Sequence, residues 1–141
     1  MVMLMKVRYG SLPAVSDAPF RDVPASHWAA QYIKKAHDLG IVDGYSDGGF
    51  HPDANATRGE ALKMILLTWY TPDQIAAAAK NTSCTDIVQT AWYAKYFNFA
   101  LDNAVTSGYN DASGNPTGKC GPGKDVTRAE SAKMIVVTKG L

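Results

Sequence analysis

The sequence predicts an all-α fold made of two copies of one helix–loop–helix motif. The copies, 20–68 and 84–138, match first at a shift of 64 residues (Asp22 to Asp86). After a six-residue insertion in the second copy, they match at a shift of 70 (Arg58 to Arg128). Other identical pairs are Trp28 and Trp92, Gly44 and Gly108, and Lys63 and Lys133. A repeat of this length usually marks a structural unit that buries its apolar face against a neighbouring copy.

The first helix of each motif is predicted from an apolar stripe with helical spacing. In the first copy the stripe consists of Trp28, Tyr32, Ile33, Ala36 and Leu39, and in the second copy of Trp92, Tyr96, Phe97 and Ala100. Ser26 and Thr90 stand where helix-capping residues are favoured. Gly40 is well placed to end the first of these helices.

The second helix of each motif is predicted from a capping box. The segments 57–60 and 127–130 begin with Thr and end with Glu, which can satisfy each other's unpaired backbone donors. The loop 43–52 before the first box is dense in turn-forming residues. A further helix is expected only after the first copy, capped by Thr71, with Pro72 at its first position and 75–79 filling it.

Composition excludes several classes of function. With 141 residues, 46% of them hydrophobic, the chain can bury a core as one compact unit. Its net charge of +1 disfavours nucleic acid as a partner, because phosphate binding relies on clustered Lys and Arg. No apolar run approaches the length of a membrane span, so membrane insertion is not expected.

Catalytic and metal-binding patterns are also missing from the sequence. No nucleophile–base arrangement or phosphate-cradling loop is present, and the three histidines show no metal-ligand spacing. A calcium loop beginning at Asp43 would place Ala54 where the bidentate acid belongs. We therefore expect neither an enzyme nor a bound metal or cofactor.

The repeated landmarks resemble the S-layer homology motif. The resemblance is carried in the first copy by 20–24, Trp28, 40–45, 50–53 and 57–60, and in the more divergent second copy by Asp86, Trp92, 108–109 and 127–130. The resemblance implies helical motifs in a pseudo-threefold arrangement. It also implies noncovalent anchoring of an extracellular S-layer or S-layer-associated protein to cell-wall polysaccharide, often pyruvylated, through grooves between motifs. The alternative is a structural or self-assembling surface module whose partners are other motifs or copies of itself.

The same resemblance suggests how the chain is divided. We assign 20–83 to a first motif with its linking helix and 84–141 to a second motif. Because Met3–Tyr9 aligns with Met64–Tyr70, residues 1–19 are interpreted as the end of a preceding motif and its connection. The alternative for this stretch is an amphipathic N-terminal extension.

The two cysteines fall at positions that are aromatic in the first copy. Cys84 aligns with Phe20, and Cys120 aligns with Phe50. The resemblance implies that these two aromatic positions lie close together, so we predict a Cys84–Cys120 disulfide in place of an aromatic contact. Two buried free thiols are the alternative.

Arg58 and Arg128 are the main candidates for glycan binding. A cation in the first turn of a helix faces the positive end of the helix dipole, which is unfavourable unless an anion lies nearby. Asp22 and Asp86 are candidate internal partners, which would make the arginines structural. The resemblance instead favours an acidic glycan as the anion, with the two aspartates part of the site.

Three further repeated pairs keep two interpretations each. Trp28 and Trp92 begin apolar stripes, which is typical of core residues, but the family places them at the binding groove. Gly44 and Gly108 either form tight turns or allow a ligand to approach closely. Lys63 and Lys133 are either solvated or able to reach a glycan carboxylate as point charges.

Overall fold

A computed structural model of the chain describes residues 1–81 and 83–140. Thr82, in the predicted linking segment, and Leu141, at the end of the second predicted motif, lie outside the described residues. The described helices are α1 (Val2–Tyr9), α2 (Ala30–Asp38), α3 (Arg58–Trp69), α4 (Pro72–Ala76), α5 (Ala94–Asp102) and α6 (Arg128–Gly140). Across these two ranges the chain has no β-sheet, only the isolated bridges Thr57–Asp125 and Asn110–Pro116. The all-α prediction is confirmed.

The chain forms two compact units. The N-terminal unit is Met1–Ala54 and contains α1, α2 and the loop 43–52. The C-terminal unit is Asn55–Leu141 and contains α3 to α6. Within the described ranges, no helix combines the length and the apolar character that crossing a membrane requires.

Each unit has its own core. In the N-terminal unit α1 contacts α2, and the buried side chains include Leu4, Met5, Tyr32, Ile33 and Ala36. In the C-terminal unit α3 packs against both α5 and α6, while α4 packs against α5. The buried side chains there include Leu62, Leu66, Phe97, Met134 and Ile135. These residues recur at helical spacing, so burial of one face follows directly from the sequence pattern.

The prediction that Ser26 and Thr90 cap the first helix of each motif is wrong. Helix α2 begins at Ala30 and α5 at Ala94, and neither start has a side-chain cap hydrogen bond. A backbone turn precedes each helix instead: the Ala30 amide, for example, donates to the His27 carbonyl at 2.9 Å. Because backbone carbonyls accept from these amides, no hydroxyl is required, and each helix starts four residues after the predicted cap.

The other helix starts are confirmed. Thr57 with Glu60 forms both hydrogen bonds of a capping box, and so does Thr127 with Glu130. Helix α4 is capped by Thr71 and begins at Pro72, as predicted, but ends at Ala76 rather than continuing to residue 79.

Helices α2 and α5, the first helices of the two motifs, end in the same way, but the residue in the left-handed conformation differs. Gly40 follows α2 with φ 67°, and the Ile41 amide donates to the Ala36 carbonyl at 2.9 Å, as in a Schellman motif. At the equivalent place after α5, Ala104 adopts φ 55°, and the next amide donates back to Ala100 at 2.8 Å. A left-handed conformation strains a residue with a Cβ, so Ala104 is held there by its surroundings.

Replacing Ala104 with glycine should therefore stabilise the C-terminal unit by about 0.5–1 kcal/mol, because the relief of strain exceeds the added entropy of the unfolded chain. Urea unfolding of A104G against the unsubstituted chain measures this change. The matched substitution Gly40→Ala should have the opposite sign in the N-terminal unit. Equal or lower stability of A104G would contradict the prediction.

Candidate functional site

Asp22 fastens the loop of the N-terminal unit. Its two carboxylate oxygens accept hydrogen bonds from the backbone amides of Phe50, at 2.8 Å, and His51, at 2.7 Å. The amide of Phe50, and after it that of His51, lowers the pKa of Asp22. The carboxylate thus joins the segment before α2 to the end of the loop.

Asp86 does the same in the C-terminal unit. Its oxygens accept from the amides of Cys120, at 2.8 Å, and Gly121, at 2.9 Å. Burial opposes ionisation of Asp86, but these two hydrogen bonds outweigh it and hold the pKa of Asp86 below its usual value. Both aspartates predicted as glycan contacts are therefore acceptors for backbone amides of their own loops.

The predicted disulfide is present. Cys84 and Cys120 are bonded, with their Cα atoms 5.6 Å apart, and both are buried. In the N-terminal unit, the rings of the aligned pair Phe20 and Phe50 lie with their centroids 5.3 Å apart. The same contact between the start of the motif and its loop is thus made by aromatic rings in one copy and by a covalent bond in the other.

The two paired glycines are explained by close backbone approach. Gly44 has φ 75°, and a Cβ there would lie 2.3 Å from a ring carbon of Phe20. A Cβ on Gly108 would lie 3.0 Å from the carbonyl oxygen of Lys119, which accepts the Tyr109 amide at 2.7 Å. The loop therefore requires glycine at position 44, and at position 108 a side chain would force the Lys119 carbonyl to shift.

Arg58 is buried, and both terminal nitrogens of its guanidinium are engaged by its own unit, whereas its buried Nε has no hydrogen-bond partner among the described residues. Its side chain forms an ion pair with Glu130, with Nη1 3.0 Å from Oε1. Nη2 donates to the Thr106 hydroxyl and, at 3.3 Å, to the Ser107 carbonyl. Asp86 was an expected partner of the arginines, and for Arg58 that expectation is wrong: Asp86 is committed to loop amides, and Glu130 supplies the anion.

Tyr109, which is half-buried, packs against the Arg58 guanidinium. The Arg58 guanidinium carbon lies 4.9 Å from the centre of the Tyr109 ring, and the Lys124 ammonium lies 4.7 Å from it. Burial raises the pKa of Tyr109. The amide of Thr127, with a further contribution from Arg58, lowers the pKa of Glu130.

The start of α3 is covered by protein backbone. The Arg58 amide donates to the Lys124 carbonyl at 2.8 Å, and the Gly59 amide donates to the Pro122 carbonyl at 3.0 Å. These are amides that an anionic ligand at a helix N-terminus would use. Arg128, the repeat partner of Arg58, is by contrast exposed on α6.

The C-terminal unit contains an open groove of about 570 Å³. It is lined by helix α3, by the segment 76–80 and by the stretch 89–98, which includes most of α5. The lining residues are Lys63, Ala76, Ala78, Lys80, Gln89, Ala91, Trp92, Ala94, Lys95, Tyr96 and Asn98. Three lysines and an indole border this groove, and no carboxylate is among its lining residues.

The groove brings together two of the predicted site residues, Trp92 and Lys63. Trp92 is 54% exposed, and Trp28, in the N-terminal unit, is 68% exposed. The interpretation of these tryptophans as core residues is therefore wrong. Both lie in the turn before their helix, so their rings do not continue the buried stripe. Lys133 is exposed on α6 and does not line the groove.

Four polar residues of the groove carry no signal in the repeat: Lys80, Gln89, Lys95 and Asn98. The second copy has Gln89, Lys95 and Asn98 where the first has Ala25, Gln31 and Lys34, and Lys80 lies outside the aligned segments. A comparison of the two copies selects shared residues, so it cannot find side chains that one copy alone supplies. No other signal in the sequence marks them.

Side-chain amides order one wall of the groove. Asn98 Nδ2 donates to Gln89 Oε1 at 3.0 Å, and the Asn81 amide donates to Asn98 Oδ1 at 3.1 Å. Gln89 Nε2 donates to the Asn81 carbonyl at 3.2 Å. These bonds fix the orientations of Gln89 and Asn98.

Among the residues that the structure describes, no three His, Cys, Asp or Glu side chains gather as metal ligands would.

Comparison with known proteins gives a family. Residues 19–62 match the model of the S-layer homology domain. The chain is 32% identical over 108 residues to the surface layer protein of Brevibacillus choshinensis, covering 77% of this chain and 9% of that protein. It is 31% identical over 127 residues to cell surface glycoprotein 1 of Acetivibrio thermocellus, which covers 89% of this chain and 5% of that protein.

A cellulosome-anchoring protein, also from Acetivibrio thermocellus, is 30% identical over 123 residues, which covers 85% of this chain and 26% of that protein. The chain thus spans between 5% and 26% of the length of these three relatives.

Proposed function

This chain contains an S-layer homology domain, and from that premise we propose that it anchors a surface protein noncovalently to bacterial cell-wall polysaccharide. The domain and the surface-layer relatives place it at the cell surface, in the cell wall. The glycan site that we propose is the groove of the C-terminal unit. The role is one of binding, and we assign no catalytic residue.

The observation that carries this proposal is an exposed indole beside ammonium groups in one groove. Trp92 offers a broad apolar face on which the C–H surface of a sugar ring can pack. Lys63, on α3, borders the same groove and can attract an acidic substituent of that sugar. A volume of about 570 Å³ is within the range of small-ligand sites, which is about 300–1,000 Å³.

The other predicted residues take different roles in this proposal. Arg58 positions the start of α3, because its guanidinium is held by Glu130. Arg128, Lys133 and Trp28 are exposed and remain proposed glycan contacts outside the groove. Asp22 and Asp86 fasten the loops of their own units and are not assigned to the groove.

Replacing Trp92 with alanine should weaken binding of purified cell-wall polysaccharide at least tenfold, because the sugar loses its packing surface, while stability changes by less than about 1 kcal/mol at this half-exposed position. Isothermal titration with native and depyruvylated polysaccharide, together with melting curves, measures both effects. Val136→Ala is the control, since Val136 is exposed on α6 and does not line the groove. Trp28→Ala tests the N-terminal unit in the same assay.

Unchanged affinity in W92A would remove the groove from the proposal. If the unsubstituted chain itself does not bind the polysaccharide, the anchoring proposal fails. The alternative, a structural module that assembles with other motifs or with its own copies, then gains support. Sedimentation of the chain over a range of concentrations would then show whether it self-associates.

A further inference from the structure

We infer that Gly59 is a positioning residue of the groove, because its lack of a side chain lets the Trp92 indole pack against the start of α3. The inference rests on the proposed function and adds a residue that acts on the glycan through the indole. A Cβ built on Gly59 would lie 3.6 Å from Cη2 of Trp92 and 3.3 Å from Cβ of Tyr93. It would also lie 3.3 Å from the carbonyl oxygen of Pro122.

The turn before α5 therefore approaches α3 more closely than a side chain would allow. Trp92 and Tyr93 are successive residues of that turn, and Tyr93 immediately precedes α5. Carbon atoms in van der Waals contact are best separated by about 3.5–4.0 Å, so a methyl group at position 59 would be too close to Tyr93. With alanine at this position, a neighbouring group has to move.

The carbonyl of Pro122 is held in place by hydrogen bonds. Its oxygen accepts the Gly59 amide at 3.0 Å. The amide of Gly121, next to it in the chain, donates to Asp86 at 2.9 Å. Moving this loop away would lengthen the bond that satisfies the Gly59 amide. We therefore expect an added methyl group to displace the turn that carries Trp92.

A displacement of this turn changes the groove. Trp92 lines it, and so does Lys63, which lies one helical turn after Gly59 on the same face of α3. The separation between α3 and the turn before α5 therefore sets the width of the groove. Gly59 is not itself among the lining residues, so its effect passes through Trp92. A shift of a few tenths of an ångström alters the packing of a sugar on the indole, because dispersion contacts weaken steeply with distance.

The repeat provides a comparison for Gly59. Its repeat partner is Ala129, which is exposed on α6. Alanine favours a helix more than glycine does, so helix formation alone gives no reason for glycine at position 59. The close approach of the turn before α5 does give a reason.

A double-mutant cycle tests this role. In isothermal titration with purified wall polysaccharide, G59A should weaken binding about three- to tenfold. In the W92A background the same substitution should change affinity less than twofold, because the residue through which it acts is absent. Gly140→Ala is the matched control: Gly140 also lies in a helix, and a Cβ there would meet nothing within 4 Å. It should leave affinity unchanged.

A second measurement reports on the indole directly. In protein labelled with 5-fluorotryptophan, W92A identifies the fluorine resonance of Trp92. G59A should shift that resonance and leave the Trp28 resonance in place. A purely structural role would lower the melting temperature without this selective shift. An unmoved Trp92 resonance, unchanged affinity in G59A, or an equal loss in the W92A background would each overturn the inference. Failure of G59A to fold would make Gly59 a structural residue and overturn it as well.

The fluorine measurement needs no glycan, so it separates this inference from the proposed function. Binding of wall polysaccharide that is equally strong in G59A would leave the anchoring proposal standing and refute the role of Gly59. A shifted Trp92 resonance in a chain that binds no polysaccharide would support the packing of the indole on Gly59 and refute the anchoring role.

Discussion

Removing the Cys84–Cys120 disulfide should lower the free energy of unfolding of the C-terminal unit by about 4 kcal/mol. The bridge spans a sequence separation of 36 residues, and closing a loop of that length restricts the unfolded chain by about this amount. The double substitution C84A/C120A avoids leaving a lone thiol. Urea unfolding of this variant, against the oxidised unsubstituted chain, measures the difference.

Reduction supplies the control for this experiment. A reductant should lower the melting temperature of the unsubstituted chain and leave that of C84A/C120A unchanged. Thiol titration of the denatured, unreduced protein should detect no free thiol. Two titratable thiols in protein purified under oxidising conditions would contradict the bridge itself.

The second large effect is expected at Arg58. Arg58→Ala should lower the free energy of unfolding by about 3 kcal/mol, because it removes a buried guanidinium and leaves Glu130 without its ion-pair partner. Arg128→Ala should change it by less than about 0.5 kcal/mol, since Arg128 is exposed. The two arginines are repeat partners, so each variant is the control for the other in one urea-unfolding series.

Arg58→Lys should recover only part of the lost stability. A lysine ammonium can pair with Glu130, but it cannot also reproduce the fork that donates to Thr106 and the Ser107 carbonyl. Similar losses in R58A and R128A would contradict the assignment of a structural role to Arg58 alone. If the prediction holds, R58A is a poor probe of glycan binding, because its effect on affinity would include a loss of folded protein.

The interactions that depend on neighbours along the chain could be predicted from the sequence. The capping boxes at Thr57 and Thr127 join residues three positions apart, and Gly40 ends α2 through its own backbone freedom. The Cys84–Cys120 bond was predicted as well, although its partners are distant, because the repeat aligns both cysteines with Phe20 and Phe50. Local bonding rules and internal repetition were enough for these features.

The partner of Arg58 and the set of side chains that line the groove were decided only by the tertiary structure. Glu130, 72 residues beyond Arg58 in the sequence, supplies the anion for which the sequence had suggested an acidic glycan or an aspartate, Asp22 or Asp86. The turns before α2 and α5 expose Trp28 and Trp92, although a helical pattern would bury them. Lys80 and Lys95 reach one groove from separate elements. A helical pattern records which face of a segment is apolar, but the partner of a charge depends on how several such faces pack together in three dimensions.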